Sequence, residues 1–257
     1  MISLFESILL GIIQGIAEWL PISSSGHLAL AQNFFGIQAP VVYDVLLHLG
    51  TLLVVLIVFW SDFVKTVKAF FTFNFKSEYG KLSLFIILGS VITAIIGFTF
   101  RDLFKSFFHN TLIVGIALIV TGFILYVSKF FRQRKNLNWK HSVWMGLAQG
   151  LAIIPGISRS GSTISIGLIA GVKREKLISF SFLLSIPAII GASVLEFGSL
   201  NSDVSFVSIL VGLLVSIVVG YFALRWVVKL IKNKGFHNFA WYCWAVGLIV
   251  VILISVF

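Results

Sequence analysis

Three short stretches carry groups that could do chemistry, and all three sit in apolar surroundings. Gln14 and Glu18 are four positions apart, so on a helix they share a face. Glu18 is flanked by Ile16, Ala17, Trp19 and Leu20, where an unpaired carboxylate is costly and needs a partner or a ligand. A carboxylate and an amide oxygen so spaced could hold a hard divalent cation, Mg or Ca, with phosphate and water completing its shell. The plainer alternative is a glutamate that only ties helices together. After Pro21 comes Ser23-Ser24-Ser25-Gly26-His27. Proline stops one helix and serines cap the next. A helix start offers unpaired N–H groups and the positive end of the dipole, which bind phosphate, and the hydroxyls of Ser23, Ser24 and Ser25 add donors. His27, one turn in, could transfer a proton near neutral pH or attack phosphorus; otherwise it is a core histidine on a carbonyl. The third stretch is Pro155-Gly156, then Ser158-Arg159-Ser160-Gly161-Ser162-Thr163. An arginine at membrane depth needs an anion, and its planar fork suits phosphate oxygens. As a structural bridge it would pair with Glu18 instead, and the two roles alternate if a diphosphate displaces that pairing.

The elements that must position these groups are membrane helices. Hydrophobic residues make up 59% of the 257 and charged residues 11%, with mean hydropathy +1.07; a soluble domain carries roughly 25% charged residues. Segments 41–60, 83–100, 111–127, 174–197, 204–223 and 237–257 each approach the ~20 apolar residues that a bilayer crossing requires. Residues 3–36 and 143–172 are apolar too, but Pro21 and the serines break the first and Pro155-Gly156 breaks the second. Their half-segments are too short to cross, so each reads as a re-entrant helix pair, with its broken backbone inside protein or beside a cavity. The expected fold is an all-α polytopic membrane protein with six transmembrane helices plus two re-entrant pairs.

Residues 11–26 align without a gap on 146–161, at a constant offset of 135, matching Gly11, Gln14, Gly15, Ser23, Ser25 and Gly26 to Gly146, Gln149, Gly150, Ser158, Ser160 and Gly161. Each copy precedes three spans. Three is odd, so the second copy enters from the opposite face, which makes an inverted-topology repeat whose site lies near the midplane. Residues 1–127 form the first repeat, 143–257 the second, and 128–142 a basic cytoplasmic linker. Gly11 with Gly15, and Gly146 with Gly150, are expected to let the two re-entrant helices approach closely.

Of the 19 Lys and Arg residues, Arg101 and Lys105 fall on one side of this topology, Arg159 lies within the membrane, and the remaining sixteen fall on the other side. The positive-inside rule makes that side cytoplasmic, with both termini extracytoplasmic and the first re-entrant pair opening outside. The net charge of +10 therefore reflects topology and anionic headgroups, not nucleic acid. The single Cys243 excludes disulfides and a Cys-rich metal site. The N-terminal stretch lacks a basic region and carries Glu6, so it reads as part of the fold rather than a cleaved leader. Asp44 and His48 lie four apart early in the first span, where they line the cavity or bond helix to helix. Glu196 and Asp203 flank an outer loop, and His109, His141 and His237 fall in loops.

The two motifs Gln14-Gly-Ile-Ala-Glu18-Trp-Leu-Pro21-Ile-Ser23-Ser24-Ser25-Gly26-His27 and Pro155-Gly156-Ile-Ser158-Arg159-Ser160-Gly161-Ser-Thr163 resemble the signatures of the undecaprenyl-diphosphate phosphatase family of the bacitracin-resistance type. The resemblance covers the whole chain. It implies hydrolysis of undecaprenyl diphosphate to the monophosphate and phosphate in a prokaryotic plasma membrane, at a site facing the extracytoplasmic side and with a divalent cation. It matches Glu18 to the family's acidic residue, Ser24 and His27 to the nucleophile region, and Ser158, Arg159 and Thr163 to diphosphate binding. Gln14 takes a place filled by Glu or Gln, which leaves the site one charge poorer than two carboxylates. Either His27 adds to phosphorus or it deprotonates Ser24. The partners implied are the polyprenyl lipid and bilayer lipids, and a homodimer is allowed. Inverted repeats also suit a polyprenyl-phosphate transporter or flippase, with or without hydrolysis.

Overall fold

The computed structural model describes residues 2–108, 110–196 and 205–256. Helix α1 (Leu4–Trp19) opens on a Ser3–Glu6 capping box and stops just before Pro21. Helix α2 (Ser24–Phe35) is capped by Ser23 and ends at a left-handed Gly36. Then follow α3 (Val41–Val58), α4 (Trp60–Phe71), α5 (Glu78–Thr99), α6 (Arg101–Phe108) and α7 (Thr111–Val127). The second half consists of α8 (Trp139–Leu151), α9 (Arg159–Ile169), α10 (Arg174–Glu196), α11 (Phe206–Lys232) and α12 (Phe239–Val256).

Helices α1, α2, α8 and α9 have 16, 12, 13 and 11 residues. At 1.5 Å per residue each is about 16–24 Å long, short of a hydrocarbon core of about 30 Å. Their contacts give their directions. Ser208 at the start of α11 donates to Ile2 O, while Gly15 lies against Gly220, so α1 and α11 run parallel. Tyr43 meets Gly212, Ser216 donates to Leu47 O, and Thr51 meets Gly220, so α3 runs the same way. With α1 and α3 parallel, α2 between them must turn back, and α1–α2 is a re-entrant pair. In the second half Ser142 bonds Phe85 O and Gln149 bonds Thr93, while Lys176 pairs with Glu78 and Gly89 meets Leu184. These contacts make α5, α8 and α10 parallel and α9 the returning arm. Phe59, at the end of α3, packs on Phe182, and Asp62 just beyond it accepts from Tyr79 and Ser179 near the starts of α5 and α10. The end of one set thus meets the start of the other, so the two sets run antiparallel and the pairs enter from opposite faces.

The structure corrects several details. Among the described residues five helices are long and apolar enough to cross, and the count reaches six if α3 and α4 are taken as one span bent by 85°. The expected span 41–60 is thus α3 followed by an elbow at Phe59. Helix α4, with Lys65 and Lys68 exposed, and short α6 were not foreseen. The span expected over 204–223 runs on to Lys232. The paired glycines do not join the re-entrant helices to each other. A Cβ at Gly11 would lie 2.6 Å from Gly212 O, and one at Gly146 would lie 2.7 Å from Gly89 O. They seat α1 on α11 and α8 on α5, each on a span from the other half. His141 is not in a loop but in the first turn of α8, where its Nδ1 accepts from Asn138 N. His237 sits in a 3-10 turn before α12. His109 and Asp203 lie outside the described residues, and Glu196 closes α10.

Candidate functional site

The two chain breaks are bonded directly to each other. Ser23 Oγ accepts from Gly26 N at 3.2 Å and from Gly156 N at 3.0 Å. In return Ser160 Oγ donates to Leu20 O at 3.1 Å. Gly156 has φ +97°, and a Cβ there would meet Val114 O at 2.5 Å, so both its conformation and its neighbour require glycine. Thr121 of α7 braces the second break by donating to Gly156 O and accepting from Ser158 N, at 2.9 and 3.1 Å. Cys243 of α12 reaches Pro21 O at the first break, 3.4 Å away.

Glu18 lies at this junction, 7% exposed. Its Oε1 takes Arg159 Nη2 at 2.5 Å, and its Oε2 takes Ser24 Oγ at 2.7 Å and Gln14 Nε2 at 3.2 Å. His48 Nε2 stands 3.5 Å from the same oxygen, and its Nδ1 is held by Asp44 O at 2.7 Å. Gln32 holds the Asp44 carboxylate. The Arg159 guanidinium also lies over the Trp19 ring, 5.5 Å from its centre. Its other terminal nitrogen, Nη1, is buried without a protein partner, so a charged donor is left for an anion.

His27 Nδ1 contacts Ser23 O at 2.9 Å. A carbonyl only accepts, so the proton is on Nδ1 and Nε2 carries the lone pair. Tyr242 OH donates to that Nε2 at 2.8 Å. Ser24, three residues before His27 on the same helix face, gives its proton to Glu18 rather than to the imidazole.

The expected site residues thus divide into two groups. Ser24, Ser25, His27 and Arg159 are partly exposed, and Glu18 is in contact with two of them. Ser23, Ser158, Ser160 and Thr163 are buried, and their hydroxyls cap or join helices. Thr163 Oγ1 is taken by Arg159 O and Ser181 Oγ at 2.9 and 2.7 Å. Tyr242, Thr121 and Thr51, which takes a bond from Gln14 at 3.3 Å, were not anticipated; each lies on a distant apolar helix with no local motif to mark it.

For a divalent cation the protein offers few ligands. Among the described residues no three His, Cys, Asp or Glu side chains gather, and Glu18 already has several donors. Gln14 Oε1, however, is buried without a donor. That oxygen and Glu18 fit a hard cation that draws the rest of its shell from phosphate and water.

Residues 7–249 match the family described as bacitracin resistance protein BacA. The chain belongs to this family. BacA-family similarity extends to curated relatives over nearly the full length. The chain is 41% identical over 263 residues to an undecaprenyl-diphosphatase of Halothermothrix orenii, covering 99% of each. It is 42% identical to one of Alkaliphilus metalliredigens, covering 96% of this chain and 98% of the relative. A relative with the same name, from Methanobrevibacter smithii, is 39% identical over 96% of both.

Proposed function

We propose that this chain hydrolyses undecaprenyl diphosphate to the monophosphate and inorganic phosphate, in a prokaryotic plasma membrane. The observation that carries this reading is the buried, unpartnered Nη1 of Arg159, on a guanidinium at the start of α9 that shares the Glu18 carboxylate with Ser24 at the start of α2. The relatives' names point the same way, and no observation favours transport without hydrolysis.

The diphosphate would take Nη1 of Arg159 and compete with Glu18 for Nη2. Gly26 N and Gly161 N are taken by the caps Ser23 and Ser158. The N–H groups of Ser24 and Ser25 on α2 and of Arg159 and Ser160 on α9 have no intrahelical acceptor, and they stabilise charge as it develops on the phosphate oxygens. Nε2 of His27, once it gives up the Tyr242 hydroxyl, attacks the terminal phosphorus, forming an N–P bond while the bridging P–O bond breaks and undecaprenyl monophosphate leaves. Water then cleaves the N–P bond and releases phosphate. Ser24 is the other candidate nucleophile, and its proton lies toward Glu18. Glu18 and Gln14 Oε1 would hold the divalent cation, which when bound neutralises phosphate charge.

The bias of sixteen Lys and Arg against two supports extracytoplasmic termini and a site opening on that side. Residues 1–127 and 143–257 are the two halves, joined by the cytoplasmic stretch 128–142. The deciding experiment is phosphate release from undecaprenyl diphosphate by protein purified in detergent, where no compartments exist for transport. Absence of release by folded protein rejects the proposal.

A further inference from the structure

The α3–α4 elbow opens a cleft well away from Glu18. Gly220 marks the level of Trp19 on α11. Arg225 to Lys232 lie five to twelve residues further along, about 8–18 Å at 1.5 Å per residue. There α4 bends away by 85°, leaving a cavity of about 600 Å³ between Ile57 and Val58 of α3 and the last turns of α11.

Along α11, Leu214, Val218, Tyr221, Arg225, Lys229 and Lys232 recur every three or four residues and so form one stripe. Its beginning is apolar and outward-facing, with Leu214 51% and Val218 57% exposed. Tyr221 is the transition, its phenol accepting from Arg225 at 2.7 Å. The end is basic, and neither Lys229 nor Lys232 is ion-paired to a described carboxylate. The adjoining wall carries Asp62 and Glu175; Asp62 is already engaged by Ser179 and Tyr79, and Glu175 is ion-paired to neither lysine. Cations in a last helical turn also complement the helix dipole, but that effect requires neither a cavity nor the apolar approach.

We propose that this cleft binds one anionic phospholipid of the bilayer. Its phosphate headgroup sits among Arg225, Lys229 and Lys232, and its acyl chains lie along Val218, Leu214 and Ile57. The change from apolar to basic along a single stripe selects a lipid over free phosphate, which has no use for the apolar part. The inference does not depend on the phosphatase reading.

The full-length protein in detergent would be titrated with phosphatidylglycerol, phosphatidylcholine or inorganic phosphate, and bound molecules counted by native mass spectrometry. We expect one retained phosphatidylglycerol that phosphatidylcholine does not displace. Replacing the three bases together (Arg225→Gln, Lys229→Gln, Lys232→Gln) should weaken it about 100-fold, at roughly 1 kcal/mol per basic residue. These side chains are exposed, so the variant is expected to fold and to keep its phosphate-release rate, while the swap Arg225→Lys, Lys229→Arg, Lys232→Arg should retain the lipid. Undiminished binding to the Gln variant overturns the proposal. So does equal retention of phosphatidylcholine, binding of phosphate without lipid, or loss of the lipid in Arg159→Ala alone, which would put the headgroup in the catalytic site.

Discussion

Arg159 and Glu18 are 141 positions apart in sequence and 2.5 Å apart in space, and each comes from the re-entrant pair of a different half. The carboxylate is buried and the guanidinium mostly so, so each makes the other tolerable. Removing one partner of a buried pair leaves an uncompensated charge and costs about 3–5 kcal/mol. Glu18→Gln and Arg159→Ala should each lower the thermal unfolding midpoint in detergent, and the double variant should lose less than the sum. Full additivity would mean that the pair is not coupled. Both single variants should reduce phosphate release by about 100- to 1,000-fold, as expected when a charge-stabilising donor or its anchor is lost.

Tyr242 is the only hydroxyl bonded to His27 Nε2 among the described residues. Tyr242→Phe keeps the ring, which stacks with the imidazole at 5.6 Å, and removes one hydrogen bond worth about 1 kcal/mol. The expected result is a kcat change of about fivefold with KM unaltered. A large rise in KM would instead make Tyr242 a substrate contact.

If His27 Nε2 is the nucleophile, a quench during turnover should trap a phosphoryl group that is stable in base and labile in acid. It should be absent from His27→Ala. An acid-stable phosphoserine that disappears in Ser24→Ala would transfer the role to Ser24.

Gln14→Glu puts a second carboxylate beside Glu18. If the cation lies there, half-maximal phosphate release should require less Mg, because ligand charge sets affinity for hard cations. An unchanged Mg dependence would move the cation away from Gln14.

Gly11 and Gly191 provide a paired test of packing. A Cβ at Gly11 would lie 2.6 Å from Gly212 O, whereas one at Gly191 would meet nothing within 4 Å. Gly11→Ala should destabilise by about 1–3 kcal/mol through overpacking. Gly191→Ala should be neutral or should stabilise by about 0.5–1 kcal/mol, because alanine is the better helix former. Thermal unfolding of the two variants checks both signs.

What the sequence determined by itself was local. Pro21, Pro155 and the serines after them set where α1 and α8 stop and where α2 and α9 begin, because caps and breaks act within a few residues. The four-residue step from Gln14 to Glu18 was enough to put them on one face, and they do bond. Tertiary structure decided which surfaces meet. Membrane helices are apolar all round, so hydrophobic periodicity does not mark their contact faces. The glycine pairs therefore gave no sign that they seat on α11 and α5, and nothing near residue 242 pointed to His27. Hydroxyl roles were hidden for the same reason: Ser24 and Ser160 look alike in sequence, but only the packing of the two breaks turns one toward Glu18 and the other onto Leu20 O.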